Sequence, residues 1–154
     1  MFRPIEKSLW LQKVCESNYR KLRHLIPDLT GLGSAASAHV PGKPPLFLRL
    51  LDRSPHTLTL ELTHGFGKVL EPAVKIRVCL DAKTAEVLSD SSRPSVFEVL
   101  GGQKAFTHSV LDYKWTLNYF LMRWLDHCLS SQYRFPHEGE VPTAESHPRL
   151  RQAA

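Results

Sequence analysis

Residues 57–63 read TLTLELT and residues 74–88 read VKIRVCLDAKTAEVL. In the first stretch Leu58, Leu60 and Leu62 alternate with Thr57, Thr59, Glu61 and Thr63. That two-residue period marks a half-buried strand. In the second, Val74, Ile76, Val78 and Leu80 alternate with Lys75, Arg77 and Cys79. Asp81, Ala82, Lys83 and Thr84 form a tight-turn sequence into a further strand over 85–88. The two stretches predict antiparallel neighbours sharing one apolar face. His64, Gly65, Phe66 and Gly67 are expected to break the strand before them, and a short strand over 46–51 is apolar on both faces. A fifth strand is expected over 96–100, stopped by Gly101 and Gly102.

An apolar sheet face needs a cover, and two helical stripes supply one. A helix over 8–26 places Leu11, Val14, Cys15, Leu22, Leu25 and Ile26 on one face, with Asn18 on the same stripe. Ser8 is the expected N-cap and Pro27 the stop. A second helix, expected to be capped by Asp112, carries Leu117, Phe120, Leu121, Trp124, Leu125, Cys128 and Leu129 on its stripe. Residues 27–45 are rich in Gly, Pro, Ser and Ala and read as a flexible connector. Residues 136–154 have no apolar period and read as a disordered tail. The prediction is one α+β domain over residues 1–135. It has two layers, an antiparallel meander of four to five strands with an N-terminal and a C-terminal helix on one face.

Composition narrows the function classes. The 154 residues are 42% hydrophobic and 23% charged, which is an ordinary globular mix and not that of a disordered chain. The sequence holds no apolar run of about 18 residues, so no membrane span is expected. Its first residues lack an apolar signal core, which points to a cytoplasmic protein. Three cysteines without a CxxC pair argue against a disulfide framework or a zinc site. No phosphate-cradling glycine loop, nucleophile elbow or zincin motif is present, so neither metal nor cofactor is expected. The net charge of +5 leans toward the N-terminal helix, where Arg20, Lys21 and Arg23 cluster. Without interleaved exposed aromatics that cluster reads as a solvated helix end, with weak RNA binding as the sharper alternative.

Three patches carry a family resemblance. The first is Cys15-Glu16-x-Asn18-Tyr19-x-x-Leu22-x-x-Leu25-Ile26-Pro27. The second is Arg77-Val78-x-x-Asp81-Ala82-x-x-Ala85-Glu86-Val87. The third is Asp112-x-Lys114-x-x-x-Asn118-x-Phe120-Leu121-x-x-Trp124-Leu125-x-x-Cys128-Leu129. Together they resemble the uncharacterised proteobacterial YqiB-like family, a domain of unknown function. The resemblance implies a bacterial cytoplasmic protein and a genomic association with nucleotide metabolism, but no activity. The family tends to have a His just before the hairpin Asp, where this chain has Leu80.

The candidate ligand-binding residues are Arg77, Asp81 and Glu86. A two-residue loop would set Cys79 opposite Glu86 and Arg77 diagonal to it, with all three candidates on the face away from the helices. Such a cluster suits a phosphate or an amine. It equally describes a cross-strand ion pair with a turn-forming Asp, and exposed pairs of that kind are common and individually weak. Asn18, Lys114 and Asn118 are secondary candidates. A buried amide must find hydrogen-bond partners, either by tying elements together or by lining a cavity. Lys114 and Asn118 lie one turn apart and could reach a carboxylate such as Glu16. Cys15 and Cys128 read as small buried hydrophobes. The leading expectation is a non-enzymatic binding or accessory protein for a protein partner or small ligand. The alternative is an enzyme or regulator linked to nucleotide metabolism, with its polar site on the 77–86 hairpin.

Overall fold

The alternating leucines of residues 57–63 lie in the central strand of a five-stranded antiparallel sheet. The computed structural model describes residues 4–66, 69–90 and 107–136. In chain order the elements are α1 (Pro4–Leu25), β1 (Ala35–Ala38), β2 (Leu46–Arg53), β3 (Thr57–Phe66), β4 (Val69–Cys79), β5 (Thr84–Asp90) and α2 (Thr107–Ser130). The strands neighbour one another in sequence order, a simple meander. The α+β reading therefore holds.

Register explains the core. Leu60 pairs with Leu50 on one side and Ile76 on the other, and Ile76 pairs with Val87. Leu48, Leu62 and Val74 form the next inward row, and Leu58, Val78 and Ala85 the row on the other side. Against this face α1 sets Leu22 and Leu25, with Ile26 just past its end, and α2 sets Leu117, Leu121, Trp124 and Leu125. Full burial of each such aliphatic side chain contributes about 1.5–3 kcal/mol. Phe120, on the edge of the α2 stripe, is only partly buried and packs on this core.

The helices run parallel. Lys7 pairs with Asp112 near their starts and Lys21 with Asp126 further along, at 2.7 Å. Residues separated by equal steps from these pairs therefore lie level, at about 1.5 Å per residue.

Several expectations are corrected. The 27–45 stretch contains β1, whose residues pair with Arg49, Leu48, Phe47 and Leu46. Ala-Ala-Ser-Ala has no strand signature, so its extended form comes from the open edge of β2. β3 runs through His64 and Gly65 to Phe66. The register between β3 and β4 shifts there, with Thr63 opposite Ala73 but Gly65 opposite Leu70. Pro72, which cannot donate to a ladder, falls within that irregularity. A Cβ on Gly65 would lie 2.6 Å from the Phe47 ring, so glycine here serves close packing and not chain termination. Both helices begin earlier than their expected caps: Ser8 and Asp112 lie within them. The expected strand over 96–100 and the tail beyond residue 136 lie outside the described residues.

The C-terminus of α2 ends in a hydrogen-bonded wrap. Tyr133 N–H donates to Cys128 O at 3.0 Å and Gln132 N–H to Leu129 O at 3.0 Å, with Gln132 at φ 72°. This is a Schellman motif with glutamine where glycine is usual. Phe135 N–H then donates to Leu25 O at 2.8 Å and joins the two helix ends.

Candidate functional site

The secondary candidates meet in a polar seam where α1, α2 and the edge strand β5 converge. Asn118 is fully buried, and its Oδ1 accepts the backbone N–H of Val87 at 2.8 Å. Its Nδ2 donates back to Lys114 O at 2.8 Å. Asn18, also fully buried, donates from Nδ2 to the Asn118 carbonyl at 3.3 Å. One side chain thus satisfies an N–H of β5 that faces away from β4, and a second ties α1 to α2. Asn18 Oδ1 has no hydrogen-bond partner among the described residues.

Lys114 extends from α2 to Glu86 of β5, Nζ to Oε2 3.2 Å, with both side chains about one-third exposed. The carboxylate that Lys114 meets is therefore Glu86, not Glu16. Burial, with the nearby Glu86 charge as a smaller cause, pushes the Cys15 thiol up to about 12. Burial alone pushes Cys128 to about 12. Both stay protonated near neutrality and are poor nucleophiles there.

The hairpin register differs from expectation. Cys79 pairs with Thr84 and Arg77 lies directly opposite Glu86, because four residues, 80–83, make the turn. Lys83 occupies the left-handed region at φ 57°. Arg77 and Glu86 keep the same face, as a two-residue register change must. From that face, at the edge strand, the Glu86 side chain nevertheless reaches Lys114 of the helix layer. Asp81 is exposed and pairs with His56 of the β2–β3 turn at 3.1 Å. The structure thus brings Arg77 and Glu86 into register but commits Asp81 and Glu86 to different partners.

Two groupings had no signal in the sequence reading. His64, read only as a strand breaker, is 5% exposed and sits between Trp124 and Tyr133, with ring centroids 5.4 Å from each. Trp124 Nε1–H donates to His64 Nδ1 at 3.3 Å, and the Tyr133 hydroxyl donates to Pro44 O. Desolvation, with nearby His127 as a smaller cause, holds His64 below the ordinary histidine range. The folded state thus prefers neutral imidazole, and this contribution to stability is lost as pH falls through the lowered value. The second grouping is on the outer face of α2. Trp115 stacks on Tyr119 at 5.8 Å and 18°, and the Arg123 guanidinium lies 5.9 Å from the Tyr119 ring centre. A spacing of four residues puts the three on one line along the helix.

A family model described as a protein of unknown function (DUF1249) matches residues 21–134, well over half the chain. The chain belongs to the DUF1249 family. The match takes in the hairpin and the whole of α2, including Arg77, Asp81, Glu86, Lys114 and Asn118, and begins after Asn18. No curated protein and no solved structure gives a significant match to this DUF1249 chain. Among the described residues no helix is long and apolar enough to cross a membrane, and no group of His, Cys, Asp or Glu is arranged to hold a metal ion.

Proposed function

We propose that this chain is a non-enzymatic binding or accessory protein of the bacterial cytoplasm, and that it docks a protein partner on the outer face of its helix pair. The observation that carries the reading is the exposure of large apolar groups on that side. Leu9 is 58% exposed, Trp10 45% and Tyr119 40%. Trp10 follows Lys7 by three residues and Trp115 follows Asp112 by three, so the Lys7–Asp112 pair sets the two tryptophans level. Exposed Trp and Tyr beside Arg match the residue types that anchor protein interfaces. The rim is basic. Lys13, Arg20 and Arg123 are exposed, while Asp112 and Asp126 are held by Lys7 and Lys21. An acidic amphipathic segment complements such a surface.

The other readings have less support. Asp81 and Glu86 already hold His56 and Lys114, which leaves Arg77 and the turn residue Lys83 as the exposed cations of the 77–86 hairpin for a nucleotide-type ligand. Within the basic cluster of α1, Lys21 is paired with Asp126 and Arg23 lies against the Tyr19 ring, so weak RNA binding is not favoured.

The test is co-purification from native cells with the wild type and with Trp10→Glu plus Tyr119→Glu. A partner lost from the double variant, while its circular dichroism and melting stay unchanged, supports the docking face. Partners that survive the double variant and depart with Arg77→Ala would move the function to the hairpin.

A further inference from the structure

At the end of the sheet that carries the β2–β3 and β4–β5 turns, an open cavity of about 460 Å³ is lined by Thr30, Arg53, Ser54, Pro55, Leu58 and Leu80. Its volume falls within the range of small-molecule sites, about 300–1,000 Å³. Leu58, Leu80 and Pro55 supply apolar wall, and Thr30, Ser54 and Arg53 supply polar groups.

Arg53 is the unusual member. It stands at the end of β2, and its guanidinium crosses to the segment after α1. Nη1 donates to Thr30 O at 2.8 Å and Nη2 to Leu32 O at 2.6 Å. Two carbonyls fix the plane of the guanidinium without neutralising it, and its remaining N–H groups can still donate. No carboxylate among the described residues pairs with it. The nearby acids are placed otherwise. Asp81 holds His56, and the Asp28 carboxylate lies against Gly31. The His56–Asp81 pair also adjoins the cavity wall, because Leu80 N–H donates to His56 O at 2.9 Å.

We propose that this cavity binds a small organic oxyanion, with the head group on Arg53 and a compact apolar body against Leu80 and Pro55. A planar guanidinium already held in place suits a carboxylate or phosphate, since little freedom remains to be lost on binding. The site lies at the turn end of the sheet and stands independently of the helix-face reading.

The experiment titrates the isotopically labelled full chain with benzoate, phenyl phosphate and neutral benzamide, reading backbone amide shifts. The expected result is saturable shifts at Thr30, Ser54 and Leu80 with the anions and none there with benzamide. The tighter of the two anions assigns the head group. Arg53→Gln should weaken binding about tenfold or more. Because Arg53 also holds the loop, Leu80→Glu serves as a second variant. It leaves the clamp in place, sets a negative charge on the wall, and should weaken the anions to a similar degree. Lys75→Gln, on β4 and outside the cavity lining, should bind as the wild type does. Equal binding of benzamide, no saturable shift at millimolar anion, or unchanged affinity in both variants would overturn the proposal.

Discussion

The two edges of the sheet are finished in opposite ways. At β5 the unpaired backbone is met by Asn118, the helix pair packs alongside, and Lys114 holds Glu86 at the same place. At β1 the strand is four residues of Ala and Ser, at the edge of the sheet and paired with β2, and among the described residues no helix packs closely on it. Both solutions blunt an edge that would otherwise recruit another strand, one by cover and one by brevity. The difference bears on function. Polar side chains at the covered edge are consumed in satisfying the fold, so Asn118, Lys114 and Glu86 are structural devices first. Exposed groups lie elsewhere, on the outer helix face and at the turn end of the sheet.

The comparison can be broken most severely from below, at the core that both edges share. Trp124 is 7% exposed, bonded to His64 and stacked on Phe120 at 6.0 Å. Trp124→Ala should cost about 3–5 kcal/mol in chemical denaturation. A cost under about 1 kcal/mol would mean that the helix layer does not depend on this contact.

The edges themselves come next. Asn118→Ala leaves the Val87 N–H without its acceptor and should cost about 1–3 kcal/mol. Hydrogen exchange at Val87 should speed up in parallel. Ser37→Ala on β1 should stay within about 0.5 kcal/mol of the wild type. Equal effects at the two edges would refute the distinction drawn between them.

A smaller effect tests how α2 is held against the covered edge. Gln132→Gly relieves a left-handed residue in the α2 wrap and should stabilise the protein by about 1 kcal/mol, read as a raised melting temperature. Smallest of all is the Lys114–Glu86 pair. With both side chains about one-third exposed, Lys114→Met should change stability by no more than about 1 kcal/mol, and less at high salt. A much larger loss would mark the pair as the principal tie of α2 to β5, displacing Asn118.

Local pattern was enough for the inward faces. Leu58, Leu60, Leu62, Val74, Ile76 and Val78 declare their orientation through alternation, and the Leu22–Leu25 and Leu117–Leu125 stripes declare theirs through helical spacing. Each signal depends only on which side of an element meets water, a property of a short window of chain. Asn18 was likewise visible as an amide on an apolar stripe and Asn118 as a polar residue one turn from Lys114, although their partners were not.

Tertiary structure alone decided the rest. β1 is extended because β2 offered it an unpaired edge, not because Ala-Ala-Ser-Ala prefers that form. His64 and Gly65 continue β3 because an irregularity opposite them takes up the register change and because Phe47 needs the space. Glu86 went to Lys114 and Asp81 to His56 because helices and turns remote in sequence arrived beside them. Arg53 became a fixed cation only when the segment after α1 brought two carbonyls to it. Sequence by itself determined which residues turn inward, since burial is written in local periodicity. Which polar groups meet was left to the path of the whole chain, because a charge or an amide binds whatever partner the packed core delivers.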